Sequence, residues 1–509
     1  MNCPAARNIL ITLGITLAAT VALSATRTDT VGFTSVDHQN YGPIWQRIFH
    51  LIHTGIHVSW VKTGMAANHY DFATGSWHGE TNVFGSLRNA SGNLAVPLNP
   101  SPYYGSTFIC SWLTRQPRSP VVAVESIAGS GNFTVRAQDS SLLGCQRAVI
   151  AFTNEGTLHM LCSDSATGDT LLYSRSTDYG ISWSAPLVLS GTNPPVDPSY
   201  NIAASDSSAR LAAVWSIAST NRLYVNISDD AGITWSGVQA LAPVPTSIPQ
   251  ATSGRFGAYA LFDALGRLNL ITQVWNGTSP EPAEIWHWQE GRNPEWTLVF
   301  RYDPAQPLAQ PEPGEPFLIR PSLAVSAIDG RLIAGWMNYD SLNYEPRTQI
   351  SRADIFVSQS FDHGISWSPP LRLTGPDAGS RISPCLAADL RDTLILVCIT
   401  DQIAGVFENG HGTQTVNSVN VLFVPLADLP AVTEPTQRPR APAALPSILR
   451  PGTGLLTGNG NDRTKTVLLD AAGRTVAILS AGSALPERLP AGVYFALPCT
   501  GHLKALIIP

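Results

Sequence analysis

Apolar positions along the chain fall in short alternating runs separated by Gly, Pro, Asn and Asp, and no long stretch keeps a helical period of 3.6. Alternation with a period of two predicts strands. One unit recurs: an apolar strand, a polar turn and a second apolar strand. It spans residues 46–60, 146–162, 200–215, 257–275, 320–336 and 381–398, with a poorer copy at 93–112. From Arg47 to Arg381 is 334 residues over six steps, or roughly 56 per unit, enough for a four-stranded sheet. The pattern therefore predicts an all-β fold, a β-propeller of seven blades, with six as the alternative. One blade cannot bury both its faces, so a ring of blades hides them and leaves only short edges. The innermost strands are expected to be the most apolar, 211–215 and 394–397 among them. Residues 31–42 are expected to supply a strand that closes the ring.

A second repeat joins the later strands of three units. Ser176-Thr177-Asp178-Tyr179-Gly180-Ile181-Ser182-Trp183 returns as Ser228-Asp229-Asp230-Ala231-Gly232-Ile233-Thr234-Trp235 and as Ser360-Phe361-Asp362-His363-Gly364-Ile365-Ser366-Trp367. Apolar runs flank each copy, so each is a turn between two strands. The Asp carboxylate suits the N–H groups of its own loop, and the Gly suits a positive φ that a Cβ would penalise. Trp183, Trp235 and Trp367 are large enough to pin the turns on neighbouring structure. Degenerate copies end at Trp77 and Trp296. These stretches resemble the Asp-box of sialidases and other BNR-repeat β-propellers. The resemblance implies that Ser176, Asp178, Gly180, Trp183, Ser228, Asp230, Gly232, Trp235, Ser360, Asp362, Gly364 and Trp367 stabilise the fold, remote from any active site.

Composition narrows the class. Charged residues make up 13%, while 41 Gly, 39 Pro and 13 Trp fit an all-β protein rich in turns. A net charge of −6 without any Lys/Arg run argues against nucleic acid as the main partner. Arg7, the apolar run 9–23 and the small residues Ala19, Ala22, Ser24 and Ala25 read as a signal peptide over residues 1–25, the rival being an uncleaved anchor. The run is short for a membrane span of about 20 residues. A secreted or outer-surface location follows, and export permits disulfides. Cys145 with Cys162, and Cys385 with Cys398, flank turns symmetrically; a bridge and a pair of buried thiols are equally compatible with that spacing.

The propeller is expected over residues 26–428. Five prolines then mark 429–446 as a semi-rigid linker. Residues 447–509 read as a small Ig-like β-sandwich. Asp470, Gly473, Arg474, Val476, Leu489, Gly492, Val493, Tyr494, Phe495 and Lys504 make it resemble the C-terminal sorting domain of proteins exported by the bacterial type IX secretion system. That resemblance implies the secretion machinery as a partner. The Pro-Asn-Pro start of such domains is replaced here by Leu449-Arg450-Pro451-Gly452.

Candidate chemistry is confined to Arg47, Arg147, Arg255, Arg320 and Arg381, each just ahead of an inner strand. In phase, several would converge on one mouth of the channel and grip a carboxylate or sulfate. The resemblance to sialidases adds that such enzymes hold a sialic acid carboxylate with three arginines, and 317–321 is similar to their F/Y-R-I-P motif. Here, however, it follows two of the repeats instead of preceding them. The alternative is a repeated strand-start residue that pairs with backbone or with Asp between blades. No pattern assigns a nucleophile or an acid; Tyr339, Tyr344, Glu345 and Asp354 are candidates by nearness alone. His50, His53, His57 and His69 cluster in the first unit without metal-ligand spacing, and no cofactor fingerprint occurs. The sequence thus points to an exported, monomeric propeller that binds a glycan or protein without catalysis. An exo-glycosidase of sialidase type is the alternative, and a purely structural surface scaffold is a further one.

Overall fold

A computed structural model of the chain describes residues 27–429, apart from 40–45, 86–91, 99–100, 114–117, 137–139, 165–169, 191–198, 218–221, 249–251, 277–282, 303–310 and 314–317, together with four strands between 465 and 508. The expected signal peptide and residues 430–446 of the expected linker lie outside the described residues. The chain divides into two compact units, Met1–Thr433 and Glu434–Pro509.

The first unit is a seven-bladed β-propeller. Each of the seven hairpins read from the sequence forms the first two strands of a blade, and the rest follow in antiparallel order. Blade 3 shows the plan: Cys145–Phe152, Leu158–Asp164, Thr170–Ser176 and Leu187–Val188. Such a meander puts the turns after the first and third strands on one face of the ring, and the other connections on the opposite face. Blades 6 and 7 are further joined where Asp389–Leu390 pairs parallel to the first strand of blade 6.

The last blade is closed by the first strand of the chain. Ser380–Leu386, Thr393–Asp401 and Asn417–Pro425 come from the end of the unit, and Arg27–Thr34 adds the outer edge, with Arg27 opposite Phe423 and Thr34 opposite Asn417. The closing strand thus lies earlier than residues 31–42. Beyond Thr34 the chain leaves the sheet to cap blade 1. There the Thr34 hydroxyl donates to the Val61 carbonyl at 2.7 Å, and the Gln39 amide both accepts from Val61 N–H at 2.8 Å and donates to its carbonyl at 3.0 Å.

The expectation about the innermost strands needs correction. Leu211–Ile217 and Thr393–Asp401, which contain the runs 211–215 and 394–397, are second strands, one place out from the channel. Every residue of Leu211–Ile217 is buried, as in Gly55–Val61, Phe108–Trp112 and Leu268–Trp275. A second strand is covered by strands on both edges and by blades on both faces. A first strand keeps one edge toward the channel, so it carries Gln46, Asn93 and Asn201 among its apolar residues. The core therefore lies between blades, around Trp60, Trp215, Trp275 and Trp336, all essentially inaccessible.

The repeated turns sit between third and fourth strands. In each, the Ser hydroxyl donates to the Asp carboxylate (2.7 Å from Ser176 to Asp178) and accepts the Gly N–H (2.8 Å from Gly180). The carboxylate also takes the N–H of Ser182, Thr234 or Ser366 at 2.8–2.9 Å. Both the Gly and the residue before it are left-handed: φ is 59° at Tyr179, 54° at Ala231 and 58° at His363. The tryptophans reach the preceding blade. Trp235 stands edge-on to Tyr173 at 4.8 Å, and Trp367 to His287 at 5.4 Å.

In the second unit, Lys465–Asp470, Thr475–Ser480, Gly492–Pro498 and Lys504–Ile508 form one antiparallel sheet with the second strand outermost, next to the first, then the third and fourth. The expected sandwich is described only in these four strands, and they make a single sheet.

Candidate functional site

The N-terminal ends of the first strands share a backbone device. In blades 3, 6 and 7 the register jumps between Gln146 and Val149, between Ile319 and Ser322, and between Ile382 and Cys385. One residue in each bulge is left-handed: Arg147 (φ 55°), Arg320 (57°) and Ser383 (54°). Such conformations are uncommon for residues other than Gly and re-aim a side chain out of the pleat. Arg147 and Arg320 are therefore equivalent. The blade 7 counterpart is Ser383, while Arg381 stands two residues earlier on a regular part of the strand. A sequence signal for this exists in Ile319-Arg320-Pro321 and Ile382-Ser383-Pro384, which share I-x-P.

Arg47 and Arg320 meet at Ser383. The Arg47 guanidinium donates to the Ser383 carbonyl, and Arg320 Nη1 donates to the Ser383 hydroxyl at 3.1 Å. Arg47 has no exposed surface, and its Nε and Nη1 have no hydrogen-bond partner among the described residues. Burial lowers its pKa from the usual arginine range, and Arg320 nearby pushes the same way. Of the other arginines, Arg147 is half-buried and its carbonyl accepts from the Tyr200 hydroxyl at 2.6 Å. Arg255 lies within Thr252–Phe262, where only backbone is described. Arg381 pairs with Asp377, Nη2 to Oδ2 at 2.7 Å, and donates to the Gly379 carbonyl at 2.9 Å.

The carboxylates near this end are also closed. Glu345 accepts from Arg352 at 2.6 Å, both side chains being more than nine-tenths buried. Asp354 holds Arg372 and accepts from the Thr374 hydroxyl at 2.8 Å, and Arg372 reaches Asp340 as well at 2.7 Å. Burial raises the Asp354 pKa, against the pull of Arg372. Tyr339 is buried and Tyr344 is exposed. Sequence reasoning missed Asp340, Arg352, Arg372 and Asp377. Except for Asp377, which pairs locally with Arg381, they depend on a hairpin, Leu332–Tyr344 with Ser351–Ser360, whose cross-strand register places Asn338 opposite Asp354.

Of the blade 1 histidines, His57 and His69 are buried, His50 is half-buried and His53 is exposed. His69 Nδ1 lies 3.3 Å from His57 Nδ1, which also lies 2.6 Å from the Thr107 hydroxyl, and His78 stands edge-on to His69 at 5.3 Å. Burial lowers the pKa of His57 and brings that of His69 down to about 4. Among the described residues no group of three His, Cys, Asp or Glu side chains is placed to hold a metal. The five described cysteines are buried free thiols, so neither pair is bridged.

A cavity of about 280 Å³ occupies the channel, lined by the first strands of the blades. Gln46, Asn93 and Tyr259 mark its inner end, where the Tyr259 hydroxyl donates to Gln46 and the Asn93 amide pairs with both backbone groups of Ile150 at 2.8 Å. Its other end is ringed by the turns after the first strands, with Asp206, Asp263 and Asp389. The cavity opens on the face away from the arginines.

No family model matches the chain, and no curated protein matches it in sequence. Solved propellers match it in fold. A polysaccharide lyase, a PL25 ulvan lyase bound to GlcA(1-4)Rha3S, is 10% identical with a TM-score of 0.50 over 77% of this chain and 96% of its own. The polysaccharide lyase Uly1 is 11% identical, with a TM-score of 0.46 over 79% of this chain and 99% of its own. The NanB sialidase from Streptococcus pneumoniae is 12% identical, with a TM-score of 0.41 over 79% of this chain and 71% of its own.

Proposed function

We propose that this chain is an exported β-propeller that binds a glycan bearing carboxylate or sulfate groups, without transforming it. The observation that carries the reading is that the two candidate carboxylates, Glu345 and Asp354, and Asp377 with them, are already engaged by the protein's own arginines. Glu345 is closed by Arg352, Asp354 by Arg372 and Asp377 by Arg381. A substrate would have to displace an arginine from each of these short, charge-assisted contacts before the carboxylate could reach it. Glycan binding asks less. It needs a rigid fold and cationic donors at one end of the ring, and Arg147 and Arg320 are half-buried at equivalent points of two blades. Residues 1–25 and the sorting-type tail support export.

The full chain and its Arg320→Ala variant, assayed on a fluorogenic sialoside and on an array of neutral and acidic glycans, test this reading. The expected result is no turnover, with binding to acidic glycans that weakens at least about tenfold in the variant, the equivalent of one charge-assisted contact. Turnover that Arg320→Ala abolishes would instead establish the exo-glycosidase alternative.

A further inference from the structure

The outer mouth of the channel carries a charge that the fold leaves open. Two of its three carboxylates are paired: Asp263 with Arg267 at 2.8 Å and Asp389 with Arg391 at 3.0 Å. Asp206, on the turn after the first strand of blade 4, is water-accessible and has no ion pair among the described residues. Behind it the wall is apolar, formed by Ala151, Ile202, Ala204, Ala260 and Val325 from blades 3 to 6, with Phe49 from blade 1. Ala151 and Ala204 keep surface open to the cavity, so the channel exists because short side chains stop short of its axis. At about 280 Å³ it lies at the small end of ligand pockets and has room for roughly nine water volumes.

An apolar tube behind a single carboxylate selects a particular shape. We propose that the channel mouth binds a primary ammonium on a short aliphatic chain, the chain lying against the alanine-lined wall and the ammonium donating to Asp206. The ligand is a free alkylamine or a lysine side chain; both present the same chemistry. Burying the methylenes contributes about 0.8 kcal/mol each. The ammonium keeps its charge by meeting the one carboxylate that no arginine neutralises.

The groups facing Asp206 set the pH dependence. One side of Asp206 is open to water, but the apolar wall on its other side and the charge of Asp389 raise its pKa to about 6. Tyr259, whose own pKa is raised by burial, stays neutral, and burial lowers the pKa of His50, which lies 3.9 Å from Asp389. Asp263 and Asp389 are paired with their arginines, which leaves Asp206 as the carboxylate of the mouth without an ion pair among the described residues. Binding therefore strengthens as pH rises through about 6, while the ammonium stays protonated throughout.

Saturation-transfer NMR of the full chain with n-pentylammonium, 1-pentanol and Nα-acetyl-lysine-N-methylamide tests the site, beside the variants Asp206→Asn and Ala204→Leu. Binding of pentylammonium but not pentanol is expected, at least about tenfold weaker in Asp206→Asn and abolished by Ala204→Leu, with melting temperatures of both variants confirming their fold. Binding of the lysine derivative as well identifies a protein side chain as the occupant; binding of pentylammonium alone identifies a free amine. No saturation of pentylammonium, equal binding of pentanol, or an unchanged Asp206→Asn would each overturn the proposal.

Discussion

Gly364 shows how one atom fixes a contact between blades. Its φ is 85°, and a Cβ built there would stand 2.2 Å from His287 Cε1 in the preceding blade. Gly232 repeats the situation against the Tyr173 hydroxyl. Gly266 is left-handed too, at φ 73°, yet nothing lies within 4 Å of its missing Cβ. Gly266→Ala is therefore expected to cost only the left-handed penalty of about 1–2 kcal/mol, and Gly364→Ala at least about twice as much, because His287 or its strand must shift. Urea denaturation of both variants checks this, and equal costs would remove the inter-blade contact from the account. The glycine requirement was legible in the repeated pattern, since D-x-G in a turn asks for positive φ. The second left-handed residue, Tyr179, Ala231 or His363, was not, because nothing about those side chains marks it. The bulges at Arg320 and Ser383 left a trace only in the shared I-x-P, and the one at Arg147 left none, because a positive φ on an arginine or serine is not marked by residue type.

At the level of elements, the seam between the ends of the propeller carries its own titration. Asp37, just after the closing strand, accepts from Phe407 N–H at 3.0 Å and from the Asn417 amide at 2.8 Å. Asp401, at the end of the second strand of blade 7, accepts from Ile403 N–H at 3.1 Å and the Thr415 hydroxyl at 3.2 Å. Both are buried, and burial, followed by the charge of Glu408 at Asp37 and of Asp37 at Asp401, pushes them up to about 6 and about 7. A raised carboxyl pKa means the folded state holds the proton more tightly. The associated stability is complete below the ordinary carboxylate range near 4 and is lost as pH rises through 6 to 7. His69, His159 and His287, brought down to about 4, 3 and 3 by burial, act oppositely: their contribution holds above about 6.5 and fades as pH falls. Asp401→Asn keeps the acceptor oxygen and leaves the histidines unchanged. Its melting temperature relative to the unaltered chain should be at least about 2 °C higher at pH 8 than at pH 5, read by calorimetry; a difference independent of pH would contradict the coupling. Hairpins were the part of the fold most readable in sequence, since period-two alternation and turn residues are local. The pairing of Glu345 with Arg352 and of Asp354 with Arg372 depends on register across strands, which alternation alone does not set.

At the largest scale the first unit is a ring with two unlike faces, arginines at one end of the channel and Asp206 at the other. Seven blades could be counted from the hairpins and their spacing, but which end of the channel stays open could not. That depends on how far each first-strand side chain reaches toward the axis. Among the described strands, closure by Arg27–Thr34 joins the most distant parts of the chain in one sheet. Trp77 reinforces it by donating to Asp29 at 2.9 Å, and the Arg27 guanidinium lies 4.6 Å from the Phe423 ring. Removal of residues up to Thr34 would bare Asn417–Pro425 as an edge. A lower melting temperature and concentration-dependent association, followed by calorimetry and light scattering, are expected. A truncated chain that melts and sediments like the intact one would show that the edge needs no cover. The same strand imposes an order in time. Arg27–Thr34 is made first among the described strands and finds its partner only after Asn417 emerges, 383 residues later than Thr34. At about 5–20 residues per second the wait is on the order of 20–80 s. Until then the strand has no sheet to join, and the six blades between must assemble as an open arc whose two ends are sticky. Whatever holds that arc apart from its neighbours during synthesis, chaperone or dilution, governs the yield of folded protein more than the stability of the finished ring.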